Sequence, residues 1–600
     1  VTKLSPTLFL VCLVVLSAFA VYFELGRGDI TTADEGQRAA PPAEMLRSGD
    51  YLLPKLNGRA YLSKPPLLYW VIAGVYTATG TISEWTARLT TATTGLLMAL
   101  SLYLLFRRRA GETVARWAAL MMIAAPYFLE RARWTNLEVP TWYFTFLTVA
   151  ILWFAWQSTE SRTRWGLAVA GGLTLGAATL LKGPVPYLFL VAGFLAFLLL
   201  EGRDPETAIR KAVRWSLGCL LVGLVLHFLP VPFPAALILL LGGWFLLAFR
   251  YGGPAWGRSL PVLGLALVMG VGLAVPWAVA VLLDQGWENI QKLLAFEVAE
   301  RTYKPTEINS GDPTFFYRQL PFIVAPWGLL FPLHFARKTW QQGDALYRFC
   351  VTMGWLSLAI FSLIAGKERE YVMPCVPFLM LASAYFIARG PAEAQDAWAG
   401  TWLTWWRKAS LVIVPVAAIG LMVHAVLADF RTPLMLVEVA ALCGTAIVVL
   451  LLPGRADWNA SIARLTVAVV LVSVCGLMLR SYERSGENTM KPLALLCRDL
   501  KAAGVTVEAT KIYPNFFYYA EYVIPETIQK ENIRPRLTGP EPYFYLTIAG
   551  ILNEFYDPAT MPALYISRPY GDKKLMLVGN VDPSTLVPPA TGLRATLSRK

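Results

Sequence analysis

Residues Pro261–Leu283 read PVLGLALVMGVGLAVPWAVAVLL, 23 positions without one charged side chain. A helix packed on a soluble core keeps a polar face. This one keeps none, and at 1.5 Å per residue it is about 35 Å long, enough to cross a hydrocarbon layer of about 30 Å. It reads as a membrane span, and Leu8–Leu25, Ala409–Leu427 and Leu434–Leu452 are of the same kind. Counting apolar runs bounded by polar or Pro/Gly residues gives about fifteen candidates. They fall near 7–25, 86–106, 115–130, 137–156, 165–181, 184–200, 213–229, 234–250, 260–283, 318–336, 349–366, 371–389, 409–428, 432–452 and 463–480. With 56% hydrophobic and 16% charged residues among 600, a soluble enzyme is excluded, and so is one held by a single anchor.

The net charge of +13 forms no single basic patch of the kind nucleic acid requires. Arg107-Arg108-Arg109, Arg162/Arg164, Arg203/Arg210/Lys211/Arg214, Arg337/Lys338, Arg407/Lys408 and Arg455 fall in alternate short loops, as cytoplasmic loops do under the positive-inside rule. The other loops then face outward. Two of these, 26–85 and 284–317, are too long to be connectors. Within the first, Pro66–Gly80 is too short to cross and is predicted as an interfacial helix. The first apolar run follows only Lys3 and lacks a small-residue cleavage site, so it reads as a retained span. From Ser481 onward charges, Pro, Asn and Tyr return. A helix is predicted over Lys491–Ala503, with strands over Val505–Ile512 and Tyr543–Ile551. The expected architecture is an α-helical polytopic membrane protein of about 13–15 transmembrane helices over residues 1–480, followed by a C-terminal α/β soluble outer domain over 481–600.

Six of the seven cysteines lie in or at apolar segments, where Cys behaves as a small hydrophobe, and only Cys497 sits in a polar region. No disulfide scaffold is implied. His227, His334 and His424 are scattered, which argues against a His-rich metal centre. No phosphate-binding loop and no Gly-x-Gly-x-x-Gly after a strand is present, which argues against an ATP-driven pump or a nucleotide-sugar enzyme.

Charge beside hydrocarbon is costly and usually has a purpose. The pair Asp34-Glu35 just beyond the first span is a candidate general base or metal ligand, or simply a solvated loop start. Arg59 and Lys64 precede the interfacial helix, where a cation is badly placed for the helix dipole but well placed for an anion; Lys64 could equally snorkel to lipid headgroups. Lys182, Arg301 with Lys304, and Lys367/Arg369 lie beside Gly, Pro or aromatic residues on the same side, where converging cations can hold the phosphate of a lipid carrier. Glu138, at the start of a span, either meets sugar hydroxyls, supports Asp34, or pairs with Arg131 or Arg133.

Asp34-Glu35, then Glu44-Met45-Leu46, Ser48-Gly49-Asp50-Tyr51, Pro54, Asn57-Gly58, Tyr61, Lys64-Pro65-Pro66-Leu67 and Tyr69-Trp70 form a pattern that resembles the first outer loop of GT-C membrane glycosyltransferases. The resemblance is to bacterial aminoarabinose transferases that modify lipid A and to the related protein mannosyltransferases. Leu181-Lys182-Gly183-Pro184, Val275-Pro276-Trp277, Arg301 and Lys367, Tyr371, Pro374, Pro377 follow in the family's order, so that about residues 1–390 are covered.

The resemblance implies transfer of one sugar, with inversion, from a polyprenyl-phosphate donor to an acceptor (lipid A, another envelope glycan or protein) on the outer side of a bacterial cytoplasmic membrane. Asp34, with Glu35 beside it, would be the catalytic carboxylate that deprotonates or orients the acceptor. Lys64, Arg59, Lys182, Arg301 and Lys367 would bind the donor phosphate, and Tyr61, Glu138 and Tyr371 would line the sugar and headgroup pocket. Ser63 stands where such enzymes commonly have Glu, and Val298 where they commonly have His, so their metal site is not carried over; a divalent metal stays open as a cofactor, with no ligands assigned. Pro41-Pro42 fall where relatives continue a helix and are expected to disrupt it, and the spans near 213–250 form an extra pair. The competing classes are a polytopic lipid or solute transporter or flippase, which often shows repeats and midplane charges, and a non-catalytic scaffold.

Overall fold

The computed structural model describes residues 4–227, 234–294, 311–364, 366–427, 433–452, 457–484, 489–510, 512–527, 530–548, 550–552, 565–570 and 574–587. The first half holds helices α1 (Pro6–Tyr22), α2 (Ala33–Ser48), α3 (Leu67–Thr79), α4 (Glu84–Phe106), α5 (Glu112–Ile123), α6 (Pro126–Ala132), α7 (Glu138–Gln157), α8 (Ser161–Lys182), α9 (Val185–Leu200), α10 (Pro205–His227), α11 (Pro234–Tyr251) and α12 (Ala255–Leu294). After these come α13 (Phe315–Ile323), α14 (Arg337–Gln342), α15 (Ala345–Ser362), α16 (Val376–Arg389), α17 (Ala397–Leu427), α18 (Pro433–Leu451) and α19 (Trp458–Glu483).

Among the described residues nine helices, counting α16 with the turn before it, are long and apolar enough to cross a membrane, and α1, α3, α9 and α11 are shorter apolar helices. Where they are described, the fifteen expected runs fall largely on helix; the run near 371–389 begins as a 3₁₀ segment, Arg369–Cys375, that continues into α16, and two others are broken. The run near 115–130 is split into α5 and α6 at Ala125-Pro126, and the run near 318–336 into α13 and a 3₁₀ segment, Trp327–Phe335, at Ala325-Pro326. Proline lacks the N–H an α-helix needs and clashes with the preceding turn, so apolar length alone overcounts. The pair expected near 213–250 is present as α10 and α11, packed on each other.

Lateral packing uses small residues. A Cβ on Gly176 of α8 would lie 2.4 Å from the side chain of Leu273 on α12, an approach only glycine permits.

The tail-side end of the bundle carries everything that follows. A two-residue hairpin, β1 (Lys55–Leu56) and β2 (Arg59–Ala60), precedes α3. Beyond α19 stand α20 (Lys491–Ala502), β3 (Thr506–Ala509), α21 (Pro514–Ala520), α22 (Lys530–Leu537), β4 (Tyr543–Ile548), β5 (Tyr565–Ile566) and β6 (Leu575–Gly579). The sheet runs β3-β4-β6-β5, with β3 parallel to β4 and the other pairs antiparallel. The helix and both strands expected here are found within a few residues of their predicted bounds.

This α/β domain shares a hydrophobic core with α2 and α3: Ala39, Ala40, Ala43, Leu68 and Ile72 pack with Phe516, Phe517 and Leu493. Polar ties surround that core. Asn515 Nδ2 donates to the Thr31 carbonyl (2.8 Å), the Ile30 N–H to Tyr519 Oη (2.7 Å), and Lys491 pairs with Asp29 (3.2 Å) and Glu84 (2.5 Å).

Candidate active site

The α2 helix starts at Thr32, whose hydroxyl accepts from the Glu35 N–H (3.2 Å), and ends at Gly49 in the left-handed region (φ 70°), whose N–H reaches the Met45 carbonyl (2.9 Å). Asp34 and Glu35 sit in its first turn, where the helix dipole favours negative charge. The disruption expected at Pro41-Pro42 does not occur: the helix runs through both prolines. Their fixed φ is helical, and caps at both ends together with burial against α3 and α21 outweigh the lost hydrogen bonds.

The two acids face different surroundings. The Asp34 side chain is 54% exposed, and its Oδ1 lies 3.4 Å from Nη2 of Arg38, one turn on. Arg38 is buried, with Nη1 at 2.9 Å from Tyr69 Oη and 3.4 Å from Tyr61 Oη. One guanidinium thus ties Asp34 to Tyr61. Glu35 is buried and accepts from Arg88 Nε (3.0 Å), Arg88 Nη2 (3.3 Å) and the Thr135 N–H (3.1 Å). Arg88 further binds the carbonyls of Leu25, Gly28 and Asp29.

A second charge cluster lies within electrostatic range of Arg38. Lys182 Nζ, at the end of α8, bonds Glu138 Oε1 at the start of α7 (2.6 Å) and stands 5.1 Å from the centre of the Tyr371 ring. Arg38 and Arg131 both lie within electrostatic range of Glu138. Neither arginine foreseen as its ion-pair partner fills that role: Arg131 pairs with Glu370, and Arg133 donates to the carbonyls of Ala20 and Phe23 at the end of α1. The partner is Lys182, brought over by the α7–α8 hairpin.

The expected residues thus fall into two groups, Asp34 with Tyr61 through Arg38 and Glu138 with Lys182 and Tyr371, linked by the electrostatic reach of Arg38 to Glu138, while two expected phosphate ligands have protein partners. Arg59 is exposed on β2 and pairs with Glu526 of the tail domain (3.0 Å). Lys367 is buried and donates to the carbonyls of Phe361, Ser362 and Ile364 at the end of α15; burial pushes it down to about 7, against the opposing pull of Asp312. Lys64 is half-buried, with Nζ at 2.9 Å from the Ser63 carbonyl and 3.2 Å from its hydroxyl. Arg301, Lys304 and Val298 lie outside the described residues, with the rest of 295–310. Among the described residues no group of three or more His, Cys, Asp or Glu side chains comes together as metal ligands would. Sequence reasoning missed Arg38 and Arg88; a basic residue four positions after an acid on a capped helix (Asp34, Arg38) is the one signal that pointed to the first.

The family described as dolichyl-phosphate-mannose-protein mannosyltransferase matches residues 11–227. An uncharacterised protein of Aquifex aeolicus is 24% identical over 62% of this chain and 63% of its own length. An undecaprenyl phosphate-α-4-amino-4-deoxy-L-arabinose arabinosyl transferase of Pseudomonas fluorescens is 26% identical over 62% of this chain and 56% of its own. The chain thus spans about three fifths of the length of these relatives. The crystal structure of ArnT from Cupriavidus metallidurans bound to undecaprenyl phosphate superposes with a TM-score of 0.69, at 19% identity, over 98% of this chain and 100% of that one. The chain thus shares its fold with ArnT, and its first 227 residues carry the sequence match to the mannosyltransferase family.

Proposed function

We propose that this protein is an inverting membrane glycosyltransferase that moves one sugar from a polyprenyl-phosphate carrier to an acceptor oxygen on the outer side of a bacterial cytoplasmic membrane. The observation that carries the reading is the exposed Asp34 carboxylate beside buried Arg38, which in turn lies within electrostatic range of Glu138 in the Lys182–Glu138–Tyr371 cluster. The fold shared with ArnT and the match to the mannosyltransferase family support it.

In this reading the acceptor oxygen attacks the anomeric carbon, the bond from that carbon to the phosphate oxygen breaks, and the lipid phosphate leaves from the opposite face. Asp34 takes the proton of an acceptor hydroxyl, or only orients an acceptor that is already an ionised phosphate. Lys182, with Lys64 and Arg301, stabilises charge on the departing phosphate; Glu138 aims the Lys182 ammonium, and Tyr61 and Tyr371 line the sugar and headgroup pocket. Glu35 acts as a positioning residue that fixes the first turn of α2 on Arg88. Arg59 and Lys367 serve the fold, as a tail contact and a helix-end cap.

The test is native mass spectrometry of lipids retained by the full chain and by Asp34→Asn, with polyprenyl-phosphate sugars offered. Blocked turnover preserves a bound donor, so the variant is expected to hold a polyprenyl-phosphate sugar that the wild type, given acceptor, loses. Ordinary phospholipids alone in both proteins would sink the proposal, and turnover retained by Asp34→Asn would sink the role given to that residue.

A further inference from the structure

Between the end of the first span and the end of the last lies a small cavity of about 20 Å³, room for one water-sized body. Four arginines line it: Arg88, Arg133, Arg480 and Arg484. Two have carboxylate partners, Arg88 in Glu35 (3.0 Å) and Arg480 in Glu130 (2.6 Å). The remaining acid on the wall, Asp29, is taken by Lys491 (3.2 Å).

That leaves Arg133 and Arg484. Arg133 is 6% exposed, and its two terminal nitrogens meet only carbonyl oxygens, those of Ala20 and Phe23. Arg484 lies 4.4 Å over the Trp134 ring and has no carboxylate within 4 Å among the described residues. Burial, and next the neighbouring Arg88, push Arg133 down to about 10, which still leaves it charged near neutral pH. Glu24 acts on Arg133 at longer range, and Glu35 and Glu130 on Arg484, but these carboxylates are already paired with Arg27, Arg88 and Arg480. Beyond them Arg133 has only the partial charge of the carbonyls at the end of α1, so among the described residues neither guanidinium has a carboxylate of its own. A guanidinium does not shed its proton to escape, and at Arg133, which is buried, a charge without its own counter-ion is costly; Arg484 is half-buried beside it. A water molecule fills the space but supplies no charge. A phosphate or sulfate supplies charge but exceeds the space.

We propose that this cavity is a binding site for a monatomic anion, with chloride as the natural occupant, clamped between Arg133 and Arg484 and bridging the loop after the first span, the segment before α7, and the end of α19. The bound anion sits behind Glu35, so it stiffens the turn that presents Asp34 without contacting any reacting group.

The experiment is thermal unfolding of the full chain in detergent, in sodium gluconate against sodium chloride or bromide at equal ionic strength. The expected result is a saturable rise of the midpoint in either halide, of about 2 °C or more, as a ligand selective for the folded state gives. Arg484→Gln, which gives up no hydrogen bond among the described residues, should abolish the halide increment while leaving the gluconate midpoint nearly in place. Arg133→Gln should do the same; if it fails to fold, Arg484→Gln decides alone. Equal midpoints in halide and gluconate, or a halide increment that survives in Arg484→Gln, overturn the proposal and leave the cavity to water.

Discussion

Asp34 and Glu35 are one residue apart, which on a helix turns their side chains about 100° from each other. That rotation separates their duties: one carboxylate looks out beside Arg38, and the other is locked under Arg88. Removing one member of a buried ion pair strands the other, at about 3–5 kcal/mol. Glu35→Gln is therefore expected to lower the unfolding midpoint of the purified protein far more than Asp34→Asn does; equal midpoints would refute the division.

Lys367 gives a pH prediction. Its folded pKa, near 7, lies below its ordinary value of 10.5, so between those limits the unfolded chain binds more protons and stability rises with pH. Lys367→Met is expected to flatten that rise in a melting series from pH 7 to 10, and a slope unchanged by the substitution would contradict it.

At this scale charge next to an apolar run marks Asp34, Glu138 and Lys182 in the sequence, and the structure gives each an ionic partner, Arg38 for the first and one another for the other two. The sequence was unreadable where a partner comes from far along the chain. Arg88 lies 53 residues from Glu35 in a stretch of threonines and leucines with no marker of its role, and Arg59 turns outward because β2 places it opposite Glu526.

At the scale of elements, the decisive contact is α2 against α21. A Cβ on Gly36 would stand 2.1 Å from the Asn515 nitrogen, so the N-terminus of α21 rests directly on the α2 backbone, two residues from Asp34. Gly36→Val must push the two helices apart. The proposed sugar transfer is expected to fall at least tenfold while the chain still inserts, and the tail domain should become open to limited proteolysis. Unchanged activity would show that the contact does not position α2.

Helix α2 is also where local rules failed, since its prolines predicted a break that caps and burial prevent. Alternating charge and apolar length read the spans well, whereas the breaks at Pro126 and Pro326 show how a proline divides a run that hydrophobicity alone leaves whole.

For the whole molecule, the basic loop clusters and the tail domain define opposite sides. A cysteine placed at Lys501, exposed in the tail domain, is expected to react with a membrane-impermeant maleimide on intact spheroplasts, and one at Arg108, exposed in a basic loop, only after lysis. The reverse pattern would invert the topology and remove the proposed outer-face reaction. The α/β character of the tail was legible because its strands are short, aromatic and β-branched. Its seat on α2 was not, because the α2 face that receives Phe516 and Phe517 is made of alanines and one glycine, which carry no sequence signal.

The same seat has a consequence for biosynthesis. Asn515 and Thr31 are 484 residues apart, so at about 5–20 residues per second the ribosome needs roughly 25–100 s between making the first and making the second. Through that interval the spans are threading into the bilayer while α2 waits without its cover. A nascent chain stopped after the last span would be fully inserted yet lack the element that seats Asp34. Translation order thus leaves an unfinished chain in the bilayer with α2 uncovered.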